Sequence, residues 1–391
     1  MTKTLKREKV KIDNIPYYKV FDNDIAYLSL SGFTRDAAKE MKEKFMEMRK
    51  DRQLKGFVLD LRGNGGGLMN EAVDIVNMFI PKNKPVVSMR GKAATANSLH
   101  STNNDPIDLD IPLAVLVDGN SASASEIVAG AIQDYDRGVI IGQRTFGKGL
   151  VQNILPLSYN TQMKVTVAHY YIPSGRCIQE IDYSKNRKRE SDTLNSQLST
   201  LNSQDTLGKA FQTIHGRTVY EGHGIMPDVK MEREPYATVT AYLYAKNLIF
   251  DYANKFCAEH KSIAPVETFK IDEATYKDFM QFVKEKGFSY TTESEKAIEK
   301  LKKTAKGEGY LDKIQPQIDL LEKNLATEKA NDLLSNREDI EELLLSEIVG
   351  RYYFQKGRIV ATLQNDPDLT RAFEILLNTN GKDEYHSILS K

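Results

Sequence analysis

LAVLVDGNSASASEIVAGAIQDYDRGVIIGQRTFGKGLVQ, residues 113–152, decides how this chain folds. LAVLVD (113–118) is an unbroken apolar run of strand length. GNSAS turns the chain, a helix is predicted from about Ala122 to Tyr135, and GVIIGQ (138–143) is a second apolar run that ends in TFGKG. Short runs that are apolar at every position suit strands covered on both faces. Strand, turn, helix and strand in that order make a parallel βαβ unit. The same order occurs upstream. IAYLSLSGF (25–33) alternates, TRDAAKEMKEKFMEMRKD (34–51) has helical periodicity with Thr34 as its predicted N-cap, and GFVLDL (56–61) is a buried strand. GNGGG (63–67) breaks that strand, and LMNEAVDIVNMFI (68–80) reads as the next helix. MKVTVAHYYI (163–172) alternates again.

Parallel βαβ units deliver every strand-to-helix turn to one edge of the sheet, where ligands collect. GNGGG, GNSASAS and TFGKG therefore belong to one site. The helix after Ser123 runs roughly 16 Å away at ~1.5 Å per residue. The following strand returns about 20 Å at ~3.3 Å per residue. Lys148 thus comes back to the level of Ser123. A neutral lysine amine can take a serine proton and free the oxygen to attack a carbonyl. An unperturbed lysine has a pKa of ~10.4, and moving it near 7 costs roughly 4.6 kcal/mol. Burial in an apolar pocket supplies such a shift, and Phe146, Val151 and Ile141 are the candidates for its walls. Gln152, four residues after Lys148, can orient the amine without adding charge. Oxyanion donors are expected from the amide of Ala124, at a helix start, and from the GNGGG turn on the adjacent edge. Asp134 is too far along the helix for the chemistry and is expected to fix the helix end or a neighbouring strand. Each element has an ordinary reading by itself: a tight turn or phosphate cradle, a capped helix start, a solvated lysine. Order, spacing and a common edge make the combination specific.

The rest of the chain narrows the function classes. It has 391 residues with 54 basic and 54 acidic side chains. Zero net charge disfavours a nucleic-acid partner, and the sequence contains no run of ~18 or more apolar residues, the length a membrane-spanning helix needs. The first residues, MTKTLKREKVKIDN, carry no apolar segment of an export signal. Two cysteines, Cys177 and Cys257, and six scattered histidines offer no disulfide framework or metal-ligand spacing, so no metal or cofactor is expected. There is no GxSxG elbow and no phosphate-binding P-loop. The polar stretch 183–207 reads as a surface loop. From about residue 233 the chain reads as helix, with capping boxes predicted at Thr292–Glu295 and Ser335–Glu338 and a helix start at Asp366–Pro367. One face of this region is a candidate surface for a homodimer or another partner.

VLDLRGNGGG (58–67), residues 113–152, MKVTVAHYYIPSGRCIQ (163–179) and GHGIMPDV (222–229) together resemble the C-terminal processing peptidases, also called tail-specific proteases. The resemblance covers about 200 residues. It implies a crotonase-like sheet-and-helix core (an α/β fold) and a serine–lysine dyad that cuts proteins near their C-termini. Motif by motif, the nucleophile falls on Ser123, the general base on Lys148 and the lysine-orienting glutamine on Gln152. The oxyanion donors fall on Ala124 and on a glycine of the GNGGG turn, Gly66. The implied partner is a protein or peptide with an unstructured C-terminus, and the implied location is the periplasm or cell envelope. Such proteins usually carry a PDZ domain before the first strand. Here KREKVKIDN (6–14) is the expected tail of one, so the chain is expected to be a fragment or a shortened member. The expected organisation is 1–14 as that remnant, 15–232 as a protease core and 233–391 as a helical C-terminal domain outside the resemblance.

A serine endopeptidase is the first expectation. A non-catalytic peptide-binding scaffold on the same fold would bind peptides without turnover. A crotonase-like acyl-CoA enzyme would leave Ser123 and Lys148 without roles.

Overall fold

GFVLD and LAVLV are buried at every position, as strands covered on both faces must be. The computed structural model describes residues 6–8, 13–180, 208–378 and 383–390. The predicted loop 183–207 and part of the predicted remnant 1–14 lie outside them. Two compact units result, one formed by residues 1–232 and 367–391 and the other by 233–366.

The first unit is built on a six-stranded sheet. Its strands are β1 (Tyr17–Val20), β2 (Ile25–Ser29), β3 (Gly56–Asp60), β6 (Leu113–Val117), β7 (Val139–Gly142) and β12 (Val229–Lys230), in the order β1-β2-β3-β6-β7-β12. From β2 onward all pairings are parallel, and only β1 runs antiparallel. Helices α1 (Ala37–Arg49), α2 (Met69–Asn77) and α3 (Ala124–Asp134) supply the crossovers. A second, antiparallel sheet has the order β5-β4-β9-β8, from β4 (Pro85–Gly91), β5 (Ser98–Ser101), β8 (Leu150–Pro156) and β9 (Gln162–Tyr171). One continuous core joins the two sheets and their helices, with Phe45, Phe57 and Phe79 packed ring against ring. The predicted N-cap Thr34 does not cap α1. Its hydroxyl donates to Asn14 Oδ1, and Asp36, in the left-handed region, starts the helix instead.

At the far end of α3, Asp134 does what its position suggested. Its carboxylate accepts from Ser174 N (2.8 Å) and Arg176 Nη2 (2.9 Å), and its carbonyl accepts from Ile214 N. Both charged side chains are 1% exposed. Burial raises the Asp134 carboxyl above its ordinary range even with the guanidinium beside it. Next to this pair Arg217 bridges Asp136 and Asp228 at 2.6 Å each, which fastens the hairpin of β10 (Ala210–Gln212) and β11 (Thr218–Tyr220) to the helix end. Asp134→Ala would leave Arg176 buried without its counter-charge. The expected loss is about 3–5 kcal/mol of stability, read as a lower midpoint in thermal unfolding of the full chain.

The helical unit contains α4 (Thr238–Ala245), α5 (Leu248–Glu259), α6 (Glu273–Glu285), α7 (Glu293–Gly307), α8 (Leu311–Ser335) and α9 (Arg337–Leu363). Its own core gathers Leu243, Tyr252, Phe279, Ile340, Leu344 and Ile348. The Thr292–Glu295 capping box forms. Ser335 instead ends α8, and Asn336 precedes α9 in its place.

The predicted helical domain 233–391 is too long by its last 25 residues. Helices α10 (Pro367–Leu377) and α11 (Glu384–Leu389) return to the first unit. There Phe373 packs on Phe21, Leu376 fills the space over Gly56, and the Tyr385 hydroxyl accepts from Leu113 N and donates to Arg137 O. α10 begins at Pro367, as the Asp366–Pro367 signal predicted.

Candidate active site

Because β3, β6 and β7 are neighbours and parallel, the three glycine-rich turns that follow them emerge side by side. They are bonded to one another. The Asn64 carbonyl in GNGGG accepts from Ala122 N (3.0 Å) and Ser125 Oγ (2.8 Å) in the second turn. Asp118 Oδ1 holds the amides of Gly63, Asn120 and Ser121. Phe146 N, in the third turn, donates to Ser121 O at 3.0 Å.

Ser123 precedes the first residue of α3 and has φ 58° and ψ −110°. A side-chain-bearing residue there costs about 1–3 kcal/mol and persists only where its surroundings hold it. The conformation matches the strained turn of a nucleophile elbow, though the GxSxG spacing is absent. Ser123 is 9% exposed. Ala124, as the first residue of α3, has an amide without an intrahelical acceptor. Gly66 lies against this segment. A Cβ at Gly66 would stand 2.9 Å from both Ala124 N and the Ser123 Cβ. The Gly66 amide itself donates to Asn64 Oδ1 at 2.9 Å.

The third turn brings Lys148 to the same place. Ser123 N and Lys148 N donate to one oxygen, Glu126 Oε2, at 2.8 and 2.9 Å. The two nitrogens therefore lie within the combined length of those bonds. The other oxygen, Oε1, accepts from Thr145 Oγ1 (2.6 Å) and Gly147 N (2.7 Å). Glu126 is fully buried. Burial pushes its carboxyl above the ordinary range, while its four donors favour the charged form. Gly147, at φ 80°, lies so close to Glu180 that any Cβ would collide with it. Gln179 Oε1 accepts from Gly149 N, so the IQ dipeptide of the 163–179 segment clamps the lysine turn.

The side chains are less assembled than the backbone. Among the described residues, Ser123 Oγ, the Lys148 ammonium and the Gln152 amide make no hydrogen bond to one another. Gln152 Nε2 reaches Thr166 Oγ1 at 3.5 Å, beside an irregularity in the β8–β9 register between Val151 and Gln152. Such bulges re-aim side chains near active sites. Of the expected apolar walls, Ile141 and Val151 are buried, but Phe146 is 50% exposed and closes nothing. Its neighbour Thr145 points inward to Glu126 instead. Among the described residues no group of three or more His, Cys, Asp or Glu side chains could hold a metal ion.

The glycine-rich turns and the serine–lysine spacing assign Glu126 no role in the site. The signal was present as the Ser-x-x-Glu spacing of a capping box at the start of α3.

Residues 24–186 match the family described as Peptidase family S41. The chain carries a peptidase family S41 domain. Residues 239–376 match a second family, described as "Probable PDZ-protease, C-terminal helical domain". This match covers most of the helical region, which the sequence reading places outside the resemblance. A "Carboxy-terminal-processing protease" of Bartonella bacilliformis is 39% identical over 178 residues, which is 45% of this chain and 40% of that protein. A "Probable CtpA-like serine protease" of Staphylococcus aureus is 37% identical over 44% of this chain and 34% of its own length. The chain thus matches less than half the length of these relatives. Among solved structures, the "photosystem II D1 C-terminal processing protease" aligns at 28% identity over 58% of this chain and 50% of that one, with a TM-score of 0.41. None of the helices described is long and apolar enough to cross a membrane.

Proposed function

We propose that the S41 domain is a serine endopeptidase that cuts unstructured proteins near their C-termini through a Ser123–Lys148 dyad. The supporting observation is the junction at Glu126, where one carboxylate oxygen binds the main chain of both residues. In this reading the Lys148 amine takes the Ser123 Oγ proton as Oγ attacks the scissile carbonyl. The Ala124 amide stabilises the oxyanion together with the Gly66 amide, which exchanges its bond to Asn64 for the developing charge. The lysine then gives its proton to the leaving amine, and an acyl-enzyme remains. Water, deprotonated by the same amine, attacks the ester; the carbonyl–Oγ bond breaks, the lysine returns that proton to Ser123 Oγ, and the new C-terminus is released. Gln152 turns from Thr166 to orient the amine. Catalytic contacts of this kind tighten when substrate arrives.

β8 is an edge strand whose start lies two residues beyond Lys148. Among the described residues no strand pairs with its outer edge, which suits an extended substrate tail added as a further strand. A cell-envelope location rests on the resemblance alone.

The absent Ser123–Lys148 hydrogen bond favours the second reading, a peptide-binding scaffold without turnover. A serine-reactive fluorophosphonate probe with mass mapping separates the two. Labelling at Ser123 that disappears in Ser123→Ala is the expected result. A protein that binds peptide yet takes no label at residue 123 would be the scaffold.

A further inference from the structure

We propose that Glu126 is the positioning residue that joins the nucleophile turn to the lysine turn, an inference that rests on the dyad reading above. A helix cap needs only one of its bonds, the one from Ser123 N. The other three donors, Thr145 Oγ1, Gly147 N and Lys148 N, all belong to the TFGKG turn, 19 to 22 residues farther along. Two carboxylate oxygens offer about four acceptor sites, and here the four donors fill them. No lysine, arginine or histidine side chain supplies any of these bonds.

The network continues outward. Thr145 Oγ1, which donates to Glu126, also accepts from Ile225 N at 2.7 Å, and Thr145 N donates to Ile225 O. The 222–229 segment thereby braces the lysine turn from behind. The positive φ of Ser123 is held by the same carboxylate that holds Lys148. Supporting bonds of this kind keep reacting groups within the narrow geometry that catalysis requires.

Only a carboxylate can accept all four bonds. In Glu126→Gln one oxygen becomes an NH2 group. If that group faces Thr145, the threonine hydroxyl can turn to accept, but Gly147 N–H is left opposed by another donor. If it faces the other way, Ser123 and Lys148 both lose their acceptor.

The test measures fluorophosphonate labelling of Ser123, kcat and KM on an unfolded protein substrate, and thermal unfolding. The full chain is used as wild type, Glu126→Gln, Thr145→Val and Thr145→Ser. Glu126→Gln is expected to lower labelling and kcat about 10²-fold with KM little changed, the scale of a small misplacement of reacting groups. Thr145→Val is expected to lose about tenfold, the scale of one hydrogen bond, and Thr145→Ser, which keeps the hydroxyl, to recover it. Folded Glu126→Gln protein that labels and turns over at the wild-type rate would overturn the inference while leaving the dyad intact. A Thr145→Ser variant as impaired as Thr145→Val would also overturn it, and this pair decides the matter if Glu126→Gln does not fold. A wild-type protein that takes no label at Ser123 overturns the dyad reading first, and this inference with it.

Discussion

Ser123→Ala is expected to lower kcat on an unfolded protein substrate by about 10⁴-fold or more, and Lys148→Ala by a similar factor. The double variant is expected to be no worse than either single one, because in the proposed dyad nucleophile and base act as a unit. Neither change should disturb the fold. The Lys148 side chain is partly exposed and makes no hydrogen bond to Ser123 or Gln152, while the main-chain anchor from Lys148 N to Glu126 survives the substitution. Ser123→Ala likewise keeps the bond from its amide to Glu126. Fragment release followed by mass spectrometry reads the effect directly. Cleavage at the wild-type rate by either variant would remove the dyad from the mechanism.

Gly66→Ala is expected to be nearly as damaging with both residues of the proposed dyad left in place, although its methyl would also press on the Ser123 Cβ at 2.9 Å. Gly66 has φ 95°, where a side chain is strained. The added methyl would stand 2.6 Å from Ala122 O and 2.9 Å from Ala124 N. Those atoms are main chain, fixed by the Asn64 bonds, so they cannot yield as a flexible side chain would. The methyl would occupy the space beside the Ala124 amide and displace one or both of the proposed oxyanion donors. Loss of one such donor costs about 10²–10³-fold in kcat, and the expected loss here is at the upper end. Gly65→Ala is the control. A Cβ at Gly65 meets nothing within 4 Å, so near-normal turnover is expected. Equal kcat values for the two variants would show that crowding at Gly66 is irrelevant to the chemistry.

Much of the site was legible in the chain because it is made of local devices repeated in order. Apolar runs such as 56–61 and 113–118 identify covered strands, and the glycines that follow them identify the turns. Strand and helix have fixed rises, so Lys148 could be returned to the level of Ser123 by counting. Asp134 could be assigned to the helix end by the same count, and the structure puts it there, holding Arg176 and Ser174. A local signal is overridden where the fold offers the same group another partner or another element. Thr34 has the chemistry of a cap, but Asn14 takes its hydroxyl. Ser335 and Glu338 have capping-box spacing, but the preceding helix runs through Ser335. Phe146 is apolar and next to the right residues, yet the main chain turns Thr145 inward and leaves the ring in solvent.

What the amino-acid order settled by itself is the direction of the chain: parallel strands, three small-residue turns at one sheet edge, and a serine and a lysine brought to that edge. The tertiary structure alone decided which groups hold them there. Glu126 finds three of its four donors 19 to 22 residues away, and Tyr385 closes α11 onto Leu113 and Arg137 after the intervening helical unit. Periodicity reports which face of an element is buried. A buried polar group must be satisfied by whatever the fold brings within about 3 Å, and no pattern along the chain records that distance.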